Sequence, residues 1–151
     1  MENVVKPKKF TCCTFLVNPR EAKVLMLFHK KFEKWLPPGG NLEKDEAPHQ
    51  AAERELLEEV GLTAEFFPEA KEKAWKGVTI PPQPRLIALV ETANSTLVDF
   101  VFFVKALATD FKDNEGHKIK WFSKEEITSL PEAEIYPNIR ELALEALEKI
   151  K

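Results

Sequence analysis

Residues 48–62, PHQAAERELLEEVGL, leave the backbone little choice. Pro48 suits the first turn of a helix, Gly61 suits its left-handed stop, and Ala52, Leu56 and Val60 recur at helical spacing between them. This spacing predicts an amphipathic helix from about Pro48 to Val60 whose apolar stripe packs on a sheet. The polar side is the unusual part. At 100° per residue, Glu55, Glu58 and Glu59 fall within roughly 100° of arc. Like charges four residues apart, such as Glu55 and Glu59, destabilise a helix by a few tenths of a kcal/mol unless something neutralises them. Arg54 is the one cation at pairing distance, and it favours Glu58. A hard divalent cation would remove the repulsion, because carboxylate oxygens are the preferred ligands of Mg²⁺ and Mn²⁺. A solvated acidic face is the competing reading, and the helix alone leaves both open.

The flanking chain is mainly β-forming. FTCCTFLV (10–17) and KVLMLF (23–28) enclose the turn signal NPREA and read as a hairpin. WLPPGG (35–40) reads as an irregular loop feeding the helix. LTAEFF (62–67), RLIALVE (85–91), TLVDFVFFVKA (96–106) and KIKWF (118–122) read as further strands. Ser123 stands three residues before Glu126 in a capping-box pattern, and IRELALEALEKI (139–150) has the period of a terminal amphipathic helix. Strands mixed with three helices imply an α/β fold with helices on the sheet faces. At 151 residues, 44% hydrophobic and 31% charged, the chain matches one domain over 1–151. The net charge of −3 gives no global attraction for nucleic acid or anionic membrane, so no long nucleic acid and no membrane partner is expected. Without an apolar signal core or a membrane-length apolar run, a cytoplasmic location is expected. Cys12 and Cys13, adjacent in a strand, point to opposite faces and read as buried core thiols, since a vicinal disulfide would be strained.

The residues upstream decide between the two readings of the helix. Gly40, then Glu46 after five residues, then Arg54-Glu55-Leu56-x-Glu58-Glu59-x-Gly61-Leu62 after seven more, resembles the Nudix box at every specified position. Seven fixed positions match by chance at about 10⁻⁹ per start. The order of hairpin, box, strands and terminal helix is also similar to that family. The resemblance implies a Nudix-type α/β/α sandwich, with a mixed sheet between helices. It further implies hydrolysis, assisted by Mg²⁺ or Mn²⁺, of a phosphoanhydride in a nucleoside diphosphate linked to another moiety. Water attacks phosphorus and a phosphate-bearing group leaves. By the same likeness Glu55, Glu58 and Glu59 bind metal directly or through water, the Gly39 carbonyl faces the ion, and Arg54 with Glu46 orients loop and helix. Gly39 and Gly40 then suit a close backbone approach to phosphate or metal. NEGHKIKWFS (114–123) resembles a segment of nucleotide-sanitising members, which makes Glu115 a further metal ligand or general base. His117 reads more readily as a solvated loop residue.

Substrate selection is less legible. Lys30, Lys31 and Arg85 are candidates to neutralise outer phosphates. Phe32, Trp35, Phe66, Phe67 and Trp75 are candidates to stack a base, although such residues are more often core. Ala47 departs from the Ser or Thr common before the opening proline, so the side-chain N-cap is missing. A catalytically silent nucleotide-binding or regulatory module would have lost box glutamates, and all are intact. A prenyl diphosphate isomerase of this fold would be expected to add a catalytic cysteine in the pocket. A homodimer is compatible with the likeness.

Overall fold

The computed structural model describes residues 5–66, 75–113 and 115–151. Eight strands form one mixed sheet. β1 (Lys8–Asn18) lies at its centre, parallel to β7 (Thr96–Ala106) over ten residue pairs from Lys8↔Thr96 to Val17↔Lys105. The expected hairpin forms, with β2 (Lys23–His29) turning back on β1 at Val17↔Val24. β2 also pairs antiparallel with β8 (Lys118–Ser123) along Lys23–Phe28 and with β3 (Lys34–Leu36) at Leu27–His29; Leu27 and Phe28 pair with both, so these two strands lie on opposite edges of β2. β5 (Ala64–Phe66) and β6 (Leu86–Glu91) flank β7, also antiparallel. The segment read as an irregular loop at 35–40 is corrected here: Trp35 belongs to β3, and Gly39 opens a short strand β4 (Gly39–Asn41) paired with β1. Pro37 and Pro38 interrupt the ladder between them, which is why the composition reads as irregular. The end of the predicted strand at Phe67 lies outside the described residues.

Alternation along β1 sorts the core into two layers. Phe15 and Val17 pack with Met26, Phe103 and Phe122 against α2 (Lys124–Ser129) and α3 (Pro137–Lys149), with a 3₁₀ turn at Glu132–Glu134 joining those helices. Cys12 and Leu16 pack with Leu25, Leu27 and Phe102 against Ala52, Leu56 and Val60 of α1 (Pro48–Val60). The architecture is therefore an α/β/α sandwich. Leu56 and Val60 are essentially fully buried, and each such side chain stabilises the α1 contact by about 1.5–3 kcal/mol.

The helix ends follow the local rules. Gly61 adopts the left-handed conformation (φ 67°) and donates its N–H to Leu57 O. At the other end Gln50 Oε1 accepts from the Ala47 N–H at 2.8 Å, so part of a capping box survives without a side-chain cap from alanine. Ser123 Oγ accepts from Glu126 N–H, and Glu126 Oε1 accepts from Ser123 N–H, the full reciprocal box. No helix among the described residues is long and apolar enough to cross a membrane.

Candidate active site

The β1–β4 pairing brings the glycines of WLPPGG under the acidic face of α1, with Cys13 opposite Gly39 and Cys12 opposite Gly40. A Cβ on Gly39 would lie 2.2 Å from Cys12 O, and one on Gly40 would lie 2.4 Å from Glu55 Oε1. The missing side chains leave room for the β1 backbone and for the Glu55 carboxylate.

Two glutamates of α1 are fixed by different donors. Glu59 is buried, and its Oε1 accepts from the Gly39 N–H at 2.9 Å. Burial pushes its carboxyl up to about 8; the nearby charges of Glu55 and Glu115 add to this, while the Gly39 hydrogen bond opposes it. Glu55 is also raised by burial, against the pull of Arg54. Arg54 is the organising cation. Its Nε and Nη2 donate to the two oxygens of Glu46 at 2.7 and 2.9 Å, and Nη2 also donates to Asn41 O at 3.0 Å. Its Nη1 donates to Glu55 at 3.0 Å and to Glu58 at 3.1 Å. The Arg54 guanidinium holds the Glu46 carboxyl below its usual range. One planar fork thus ties the loop after β4 to α1, with hydrogen bonds to charged groups of about 1.5–3 kcal/mol each.

Opposite α1, the turn before β8 carries Glu115 and His117. Gly116 supplies a positive φ of 76°, and the His117 N–H donates to Asp113 Oδ1 at 2.8 Å. Ligand atoms of Glu59, Glu115 and His117 all lie within 4.8 Å of one another. His117 Nε2 stands 3.4 Å from Glu115 Oε2. This donor set of carboxylate oxygens and an imidazole suits a divalent cation. The fit is strengthened by the surroundings. No Lys or Arg is among the described residues lining the cleft, so the ionised form of buried Glu59 has no cationic side chain facing it there.

That cleft has a volume of about 850 Å³ and runs from α1 to the start of α3. Gly39, Glu55, Glu59 and Glu115 from the predicted set line it. Glu58 does not: it is exposed and held by Arg54 at the rim. Lys30 is exposed and does not line the cleft, although its neighbour His29 does. Arg85 is also outside it, donating through Nε to Glu145 of α3 at 2.8 Å. Of the aromatic candidates among the described residues, only Phe32 reaches the cleft, tilted against His29 at 4.7 Å between ring centroids. Trp35 and Phe66 are core, Trp75 is exposed elsewhere, and Phe67 lies outside the described residues.

The cleft also contains residues that the sequence reading undervalued or missed. His117, taken for a solvated loop residue, faces the acids, and Thr11, Asp99, Tyr136 and Asn138 line the far end. Only Asp99 carried a signal, as the one charge inside the apolar run TLVDFVFFV. The cysteines need a correction too. Cys12 is buried as expected yet lines the cleft, while Cys13 is only half-buried and donates its thiol to Asp99 Oδ2 at 3.4 Å. Burial pushes the Cys12 thiol up to about 12, so it stays protonated and is a poor nucleophile.

Residues 7–143 match the family model described as NUDIX domain. Among named proteins, the chain is 32% identical over 122 residues to the mouse (Mus musculus) diphosphoinositol polyphosphate phosphohydrolase 3-alpha. That match covers 79% of this chain and 66% of the mouse protein, so the chain spans just under two thirds of that relative's length. A NUDIX-family hydrolase of known structure from Clostridium perfringens superposes with a TM-score of 0.80 at 29% identity, covering 95% of this chain and 98% of the other. The MutT protein from Methanosarcina mazei Go1 shares the fold, with a TM-score of 0.67 at 20% identity over 97% of each chain.

Proposed function

Because this chain belongs to the NUDIX domain family, we propose that it is a metal-dependent pyrophosphohydrolase acting on a small molecule, a nucleoside diphosphate linked to a further group. The observation that carries this reading is the convergence of Glu59 of α1 with Glu115 and His117 of the opposing turn, beside Glu55 and the Gly39 backbone. The cleft volume falls in the range of small-molecule sites.

In this reading Glu55, Glu58, Glu59, Glu115 and the Gly39 carbonyl would hold Mg²⁺ or Mn²⁺, directly or through water, with His117 beside Glu59 and Glu115. The ion would offset phosphate charge and lower the pKa of its bound water. Arg54 is a positioning residue: it aligns Glu55 and keeps the Glu46 loop against the helix. Glu115, the more exposed acid, takes the proton of the attacking water as general base. Water adds to phosphorus, the P–O bond of the anhydride breaks, and a phosphate-bearing group leaves.

The test is release of phosphate or pyrophosphate with Mg²⁺ or Mn²⁺ from nucleoside triphosphates, nucleotide sugars, dinucleotides and a diphosphoinositol polyphosphate. Turnover of at least one, abolished by chelation, is the expected result. Absence of turnover across the panel, with nucleotide binding retained, would convert the reading into that of a silent binding module.

A further inference from the structure

The cleft is chemically lopsided. Its described lining includes five carboxylates and two imidazoles, without a lysine or arginine. A metal ion would offset the acids grouped at Glu59 and Glu115, a cluster that does not include Asp99. Asp99 lies on β7 two residues before Val101, on the face that packs toward α3, and it is paired across the sheet with Thr11. Thr11 Oγ1 donates to Asp99 Oδ1 at 2.8 Å, and the Cys13 thiol donates to Oδ2 at 3.4 Å. Both partners are neutral and hold the carboxylate in one orientation. Each oxygen keeps a lone pair for another donor. Leu97, Val90 and Ile139 supply apolar walls nearby, and Tyr136 and Asn138 stand at the start of α3.

We propose that Asp99 is a specificity-determining residue that reads a substrate head group presenting two adjacent N–H donors, and that the acid-lined cleft disfavours head groups carrying additional phosphates. This rests on the hydrolase reading above. A multiply phosphorylated ring needs Arg or Lys contacts to replace its hydration. Here its outer phosphates would face Asp99, and the lysine beside the lining, Lys6, is already engaged by Glu91 at 3.4 Å and by Thr92 O at 2.8 Å. Among the common nucleobases, only guanine offers two neighbouring N–H donors, at N1 and N2, to match an ionised carboxylate. Adenine and cytosine offer a donor beside an acceptor, and an acceptor placed against Asp99 would meet a second acceptor.

The test compares GTP, ATP, CTP, UTP and a diphosphoinositol pentakisphosphate with Mg²⁺ on the wild type and on Asp99→Asn. Turnover is read as kcat/KM, and binding is read independently by calorimetry. The wild type is expected to prefer GTP by at least about 10-fold and to bind the inositol compound weakly. An asparagine amide presents one acceptor and one donor, so Asp99→Asn should lower kcat/KM for GTP by about 10-fold or more, mainly through KM, and raise ATP relative to GTP. Thr11→Val, which removes only the orienting hydroxyl, should shift the preference in the same direction by less; it serves if Asp99→Asn folds poorly. Equal use of all four nucleotides, preference for the inositol compound, or an unchanged ratio in a folded variant would each overturn the assignment while leaving hydrolysis intact. Selective GTP binding without turnover would instead sustain the assignment and overturn the hydrolase reading.

Discussion

Replacing Glu59 by glutamine in the metal-free protein tests the electrostatic core of the site. Glu59 is buried beside Glu55, and its carboxyl is pushed from the ordinary value of 4.5 up to about 8. Because the folded-state value is the higher one, the folded protein binds more protons than the unfolded chain between those limits. Stability in chelator therefore falls as pH rises from 4.5 and levels off above about 8. Each pH step inside that window costs about 1.4 kcal/mol, so the full window amounts to a few kcal/mol. Glutamine has nearly the same shape, its oxygen still accepts the Gly39 N–H, and its amide can donate to Glu55. The prediction is that Glu59→Gln melts above the wild type at pH 8.5 in EDTA, by about 10–20 °C for about 5 kcal/mol at 2–4 °C per kcal/mol. The two should converge near pH 5. Adding millimolar Mg²⁺ should raise the wild type, since an ion that binds only the folded state stabilises it, and should leave the variant nearly unmoved. Melting by circular dichroism across pH 5–9 measures all of this. A difference between the proteins that does not change with pH, or a variant that melts below the wild type at pH 8.5, would refute the reasoning.

Three further outcomes follow from the same geometry. Gly40→Ala places a methyl 2.4 Å from Glu55 Oε1, so the carboxylate must leave its Arg54 contact; metal affinity by calorimetry and kcat should both fall, kcat by about 10-fold or more. Arg54→Lys cannot reproduce the fork to Glu46, and it should lower activity while reducing stability by about 1–3 kcal/mol in denaturant titration. Glu115→Gln should reduce kcat by about 10²-fold with a small change in KM, whereas Asp113→Asn keeps an oxygen for the His117 N–H and should stay near wild type; equal damage in both would remove Glu115 from the general-base role.

The local devices of this chain are written in its sequence because they depend on neighbours a few residues apart. Pro48 and Gly61 bound α1 at the residues their backbone preferences dictate, Ser123 and Glu126 form their reciprocal cap, and the alternation in β1 divides its side chains between two layers. Glu55, Glu58 and Glu59 were legible as one acidic face for the same reason, since helical geometry alone places them together. What each glutamate does was decided by contacts distant along the chain. Glu59 is buried and accepts from Gly39, Glu58 stays exposed on Arg54, and Glu115 meets Glu59 only because β8 pairs with β2. Arg85 shows the converse: its charge suggested phosphate, and the packing of α3 committed it to Glu145. The pairing of Gly39 with Cys13, and of Thr11 with Asp99, is a matter of strand register, which joins residues 26 and 88 positions apart. No local propensity encodes such a register. It is selected by the fit of whole strands and helices into one packed sheet, and the cleft exists only after that selection.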